Sequence, residues 1–178
     1  MKQLQLLIYT FLLFTFFTFS KCNKDDLPLQ LPPETTIGAN TFGCKINGQI
    51  FVPRDSGGKA GLDAEYVNLG TGVGGGWYLN IPAVDWKSSQ RQSVNIGTDS
   101  LLLEEGVTYN FKNLKNFPNA IYYNTISYPK LDNENGVLHI SKFDQIKHIL
   151  SGTFSFVGTN VTTGEKIYVT EGRFDIRY

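Results

Sequence analysis

From Thr41 to Tyr178 no segment of this chain keeps a helical apolar period for ten residues. Short runs of β-branched and aromatic residues alternate instead with Gly, Asn and Asp, which is how strands separated by tight turns read. The clearest turn is Asn47-Gly48, between Thr41–Ile46 and Gln49–Val52, because Asn-Gly accepts the positive φ angles of a two-residue type I′ hairpin. Further strands are expected at Glu65–Leu69, Trp77–Val84, Ser93–Ile96, Val107–Phe111, Ala120–Ser127, Gly136–Lys142, Ser151–Val157, Lys166–Thr170 and Gly172–Arg177. The best helical stretch, Lys142 to Leu150, runs straight into Ser151-Gly152 and is expected to be a turn or a single helical turn. The expected fold is therefore all-β: an antiparallel β-sandwich of roughly 9–11 strands, with a closed β-barrel as the alternative.

Two of these runs fix the expected core. Thr153–Phe156 and Arg173–Ile176 both alternate polar with apolar, so Phe154, Phe156, Phe174 and Ile176 should share the buried face. Thr153 and Asp175 fall on the opposite face, where replacement by Ala is expected to cost within about 1 kcal/mol.

The first residues carry an address rather than a fold. Lys2, an apolar run from Leu4 to Phe19 and then Phe19-Ser20-Lys21-Cys22 read as an export signal, too short for a spanning helix of roughly 20 residues. Ser20 and Cys22 match a bacterial lipoprotein signal, while Lys21 stands where a small residue is usual. The expected division is a lipoprotein signal peptide over 1–21, a Pro-containing disordered tether over 22–40, lipidated at Cys22, and a single β domain over 41–178. Lys24, Asp25 and Asp26, just behind the cysteine, resemble the surface-export signal of Bacteroidota lipoproteins. That resemblance implies an outer-membrane lipoprotein on the cell surface, with the periplasmic face as the alternative.

The blocks Leu31–Pro53, Ile149–Phe156 and Gly172–Tyr178 resemble an uncharacterised, domain-of-unknown-function family of Bacteroidota lipoproteins. The resemblance implies an envelope location and an all-β fold, and it supplies no activity and no functional residues.

Charge removes one class of partner. The chain has 16 Lys+Arg and 16 Asp+Glu, and without Lys2 and Lys21 the balance is 14 to 16. No basic cluster offers a phosphate-binding face, so nucleic acid is not an expected partner. With Cys22 lipidated, Cys44 is left without a disulfide partner and is expected to be a buried apolar group.

The catalytic and metal patterns do not hold together. Gly70-Thr-Gly-Val-Gly-Gly75 formally fits a dinucleotide fingerprint, but it runs into the strand-like Trp77–Ile81 and not into a helix. His139 and His148 have no ligand partner at a recognised spacing, so no metal site is expected. Asp132-Asn-Glu-Asn-Gly136 is oxygen-rich without the order of a calcium loop and reads as a polar turn. No Gly-x-Ser-x-Gly elbow occurs, and paired glycosidase carboxylates are placed by fold rather than spacing. No enzyme activity and no cofactor are expected. Asp99-Ser100-Leu101 resembles a Bacteroidota O-glycosylation acceptor at Ser100, and Asn160-Val-Thr162 is an N-glycan sequon.

The aromatics are the remaining signal. Trp77, Tyr78, Trp86, Tyr122 and Tyr123 form a candidate ligand platform, since exposed rings stack on the C–H faces of sugars. Neighbours on a strand face opposite sides, so one of Trp77/Tyr78 and one of Tyr122/Tyr123 should point outward. The competing reading makes these rings core or a cross-strand ladder. The expected function is thus an envelope protein binding a glycan or other nutrient, with two alternatives: a structural or adhesive protein binding other proteins, or a barrel carrying a small apolar ligand.

Overall fold

The structure, a computed structural model, describes residues 28–178. These residues form eleven strands and no helix: β1 (Thr41–Ile46), β2 (Gln49–Phe51), β3 (Glu65–Asn68), β4 (Trp77–Asp85), β5 (Gln92–Thr98), β6 (Thr108–Asn110), β7 (Pro118–Tyr123), β8 (Ser127–Pro129), β9 (Gly136–Asp144), β10 (Ile149–Thr159) and β11 (Lys166–Arg177). They make two antiparallel sheets, one of six strands in the order β2-β1-β11-β10-β9-β6 and one of five in the order β3-β4-β5-β7-β8. Neither sheet closes on itself, so the fold is an open β-sandwich. The closed-barrel alternative is thereby overturned.

The Asn47-Gly48 turn forms as its residue types require. Both residues have positive φ, 49° and 83°, and they join β1 to β2 in the register Ile46↔Gln49. The expected strand over Ala120–Ser127 is broken into β7 and β8, because Thr125 takes φ 73° and Asn124 N–H turns back to Ile126 O. The two runs at the C-terminus are instead one strand. Glu171 absorbs the irregularity at φ 50°, next to the point where the pairing of β11 with β10 skips a residue.

The centre of the six-stranded sheet is built by a reciprocal motif. Gly152-Thr-Phe154 on β10 runs antiparallel to Gly172-Arg-Phe174 on β11, with Gly152↔Phe174 and Phe154↔Gly172 in register. Each ring lies on the opposing glycine: a Cβ on Gly152 would stand 2.8 Å from Phe174 Cζ, and one on Gly172 would stand 2.5 Å from the Phe154 ring. Only glycine leaves that space, and the two rings then sit 6.4 Å apart, with Phe42 of β1 5.2 Å from Phe154. Phe154, Phe156, Phe174 and Ile176 are all buried, as the alternation requires. They face Leu79, Ile81, Val94, Ile96 and Tyr122 from the five-stranded sheet in one core, which also encloses Cys44. Burial pushes the Cys44 thiol pKa up, so it stays protonated.

Asp175 overturns an expectation. It does lie on the face opposite Phe174 and Ile176, yet it is only 1% exposed. Residues 31–40, assigned from the sequence to the tether, fold back over that face. Asp175 Oδ2 accepts from Thr35 Oγ1 at 2.6 Å, Ile37 N at 3.1 Å and Ala39 N at 3.1 Å. Its Oδ1 accepts from Gly38 N at 2.8 Å and Ser151 Oγ at 2.7 Å. Burial alone would raise this carboxyl, but the donors of Thr35, Ser151, Ala39 and Gly38 outweigh it and hold the pKa below the ordinary aspartate value. Pro32 seats on Gly43, where a Cβ would come within 2.6 Å of the proline ring. The strap thus closes the outer face of the six-stranded sheet from β1 to β10, and among the described residues the outer face of the five-stranded sheet has no such cover.

Candidate functional site

The odd residues of β4, from Trp77 to Asp85, point into the sandwich; Tyr78, Asn80, Pro82 and Val84 point out. Pairing carries that outward set across the sheet in rows. Asn80 is opposite Gly97 and then Asn119; Pro82 is opposite Asn95, Ile121 and Pro129; Val84 is opposite Ser93, Tyr123 and Ser127. At the edge strand, Val67 pairs with Tyr78 and Glu65 with Asn80. The only charged residues in the strands of this sheet are Glu65, on the edge, and Asp85, which is turned inward and buried. A solvent-accessible face of five strands therefore carries amides, two tyrosines and aliphatic groups, and almost no charge.

The amides are ordered among themselves. Asn95 Nδ2 donates to Asn80 Oδ1 at 3.0 Å, and Asn119 lies over Gly97, whose missing side chain makes the room for it. Tyr78 sits at one end, its hydroxyl donating to Gly74 O at 2.8 Å. Desolvation and the nearby Asp99 carboxylate push the Tyr78 pKa up, which keeps this hydroxyl protonated. At about 3.3 Å per residue along a strand, Tyr78 stands about 20 Å from the Val84–Ser93–Tyr123 row.

Trp86 ends the same side. Trp86 and Arg91 flank Asp85↔Gln92, the last pair of the β4–β5 ladder, and the Trp86 backbone N–H donates to Arg54 O at 3.0 Å. The indole N–H donates to Ala60 O at 2.8 Å, and Lys59 Nζ and Arg91 Cζ lie 4.7 Å and 5.3 Å from a ring centroid of Trp86. Asp85 anchors this corner. It accepts from Arg54 Nε at 2.8 Å and Nη2 at 2.6 Å, and its Oδ1 also takes the N–H groups of Lys87 and Ser88.

No family model, curated protein or solved structure matches this chain. Its site is therefore read from its own residues. Of the five platform residues, Tyr78 and Tyr123 face outward and Trp86 closes one end. Trp77 and Tyr122 face the core and leave the platform: Trp77 stacks on Tyr66 at 4.9 Å, and Tyr122 is 2% exposed against Tyr128. Tyr66 itself is a core fixture; its hydroxyl takes the Leu103 N–H, and burial pushes its pKa up to about 12. Cys22, Lys24, Asp25 and Asp26 lie outside the described residues.

The other candidates lie at these places in the fold. Gly70–Gly75 belongs to the β3–β4 hairpin, with Gly76 N–H returning to Gly70 O, so it joins strand to strand. Ser100 takes φ 57° and donates its hydroxyl to Gly75 O at 2.8 Å, and Asn160 is buried as the acceptor for Thr162 and Thr163 N–H. Asp132 accepts from Asn113 N–H, while Glu134 pairs with Lys166 Nζ at 2.8 Å. His139 shares a hydrogen bond with Thr108, and His148 packs on Tyr178. Among the described residues no three His, Cys, Asp or Glu side chains converge on a metal-sized site.

Asn80, Asn95, Asn119, Lys59 and Arg91 were not singled out from the sequence. Each asparagine stands between apolar neighbours in a strand-like run, which marks it as outward-facing. That they share one face depends on register, which spacing along a single chain does not encode.

Proposed function

We propose that this chain is a lipid-anchored protein of the cell envelope that holds a glycan on the outer face of the five-stranded sheet, without catalysing its cleavage. One observation carries the reading: the bare, nearly uncharged face with Tyr78 and Tyr123 separated by the Asn80–Asn95–Asn119 amides. Sugars present C–H patches that stack on tyrosine, and hydroxyls that both donate and accept. Asparagine also does both, which charged side chains do not. The strands hold these groups in fixed positions, so little ordering cost falls on binding. The row between the tyrosines sets Asn95 among Pro82, Ile121 and Pro129, so amide and C–H surface lie side by side, as the mixed faces of a sugar chain require. The face also offers no carboxylate pair for acid–base cleavage, which favours binding over hydrolysis.

The proposed anchor fits this geometry. The strap lies on the six-stranded sheet and leaves the outer face of the five-stranded sheet uncovered among the described residues. With residues 31–40 docked, the link from a lipid at Cys22 is nine residues, about 28 Å if extended.

The test is affinity electrophoresis and a glycan array, using the protein from Lys24 to Tyr178. Tyr123→Ala and Asn95→Ala should each weaken glycan retention at least tenfold, about 1.4 kcal/mol, without moving the unfolding midpoint by more than a few degrees. Retention of no glycan, or retention indifferent to both substitutions, refutes the reading. Labelled fatty acid should enter the wild-type protein and not Cys22→Ser, and protease applied to intact cells should digest the domain.

A further inference from the structure

The outer face carries acids at the Glu65 edge and beside Tyr78, at Asp99, and two cations at the opposite, Trp86 end. Lys59 and Arg91 both lie over Trp86, and neither is in an ion pair with any carboxylate among the described residues. Asp85, next to Trp86 in the chain, is already held by Arg54 Nε and Nη2 and by two backbone N–H groups. Asp55, in the same corner, accepts the Gly61 N–H at 2.7 Å. The indole is fixed by its bond to Ala60 O, so the two cations gather round an immobile ring rather than a mobile one. Two positive groups at one ring, without a carboxylate partner, attract an anion that reaches this corner.

Resting on the glycan reading above, we infer that the ligand of this face is an acidic glycan, whose carboxylate or sulfate is held by Lys59 and Arg91 at the Trp86 end. The guanidinium presents its planar fork to two oxygens of one anionic group, and the ammonium adds a point charge. The sugar bearing that group lies at Trp86, and the uncharged rings that follow it run over Val84, Ser93 and Tyr123 toward Asn95 and Asn80. Specificity then divides along the face: the amides and tyrosines recognise any sugar chain of fitting shape, and the cationic end selects those with an acid at that position.

The experiment compares two matched pairs of probes on the chain from Lys24 to Tyr178: polygalacturonate with its methyl ester, and dextran sulfate with dextran. At least one acidic member should bind tenfold or more tightly than its neutral partner, and the preference should fall as NaCl is raised to 0.5 M. The pair that responds identifies carboxylate or sulfate as the group held. Arg91→Gln and Lys59→Gln should each remove fivefold or more of that preference, and Tyr123→Ala should weaken binding of the acidic probe as well. Neutral and acidic probes binding alike, with Arg91→Gln silent, overturns the acidic inference and leaves the glycan reading standing. Acidic probes that bind through Lys59 and Arg91 but ignore Tyr123→Ala also overturn it, by showing an anion site separate from the face. If none of the four probes binds, the acidic inference falls, and the glycan array decides the wider reading.

Discussion

Replacing Asp175 by Asn keeps the shape of the side chain and removes its charge, and the structure sets the cost. Five donors converge on this carboxylate, from Thr35, Ile37, Gly38, Ala39 and Ser151. With the amide oxygen kept at the three-donor position, the amide nitrogen meets Gly38 N–H, a donor against a donor. That orphaned N–H costs about 1–3 kcal/mol. The three remaining bonds lose their charge assistance, which roughly halves each of them. The sum is about 3–5 kcal/mol, limited above by release of the strap, which lets its N–H groups reach water. Urea melts of the protein from Lys24 to Tyr178 measure it, and amide exchange at Ile37, Gly38 and Ala39 should accelerate in parallel. In a protein that begins at Thr41 the same substitution should cost about 1 kcal/mol or less, since only the Ser151 partner is left. The pH dependence has a definite sign. The folded pKa of Asp175 is held below the unfolded value of about 3.9, so its contribution is complete above that pH and is lost as pH falls through the folded pKa. The difference between wild type and Asp175→Asn should therefore shrink only in that acid range. A loss under about 0.5 kcal/mol at neutral pH, with Ile37–Ala39 still protected, refutes the reasoning.

Phe174→Ala and Phe156→Ala remove fully buried rings and should each cost about 3–5 kcal/mol in the same melts, while Thr153→Ala should cost within about 1 kcal/mol. Gly152→Ala adds a Cβ 2.3 Å from His139 O and 2.8 Å from Phe174 Cζ, so despite glycine's poor strand propensity it should destabilise by about 1–3 kcal/mol. A neutral or stabilising Gly152→Ala means the Phe174 ring does not lie on the glycine.

Local chemistry was legible in the sequence wherever neighbours along the chain decide the structure. Asn47-Gly48 turns because both residues accept positive φ, and the alternation around Phe154 and Phe174 fixes which side is buried whatever strands lie alongside. Asp175 was not legible for the complementary reason. Its alternation reads correctly as the face away from the core, but burial of that face depends on a segment 140 residues earlier. Nothing in Pro32–Asn40 announces this, because its part in the contact is mostly backbone N–H groups, which every residue except proline has. Trp77 and Tyr122 were misplaced by a milder version of the same problem. Alternation says that one of each adjacent aromatic pair faces inward, and only the packing partners, Tyr66 for one and Tyr128 for the other, say which.

The strap also explains why the two outer faces differ in chemistry. Under it, the six-stranded sheet presents Asp175 and Arg173, which find partners in the strap itself, and Ser151, which donates to Asp175: Asp175 takes Thr35 and three backbone N–H groups, and Arg173 reaches the Pro32 carbonyl at 3.5 Å. The five-stranded sheet has no covering segment among the described residues, and an uncovered face usually mixes charges of both signs, which keep it hydrated and free of unwanted contacts. This one instead orders its amides by hydrogen bonding Asn95 to Asn80, and keeps its cations at the Trp86 corner. Solubility alone does not require such an arrangement, whereas a chain of hydroxyl-bearing rings with an acid at one end makes use of each part of it.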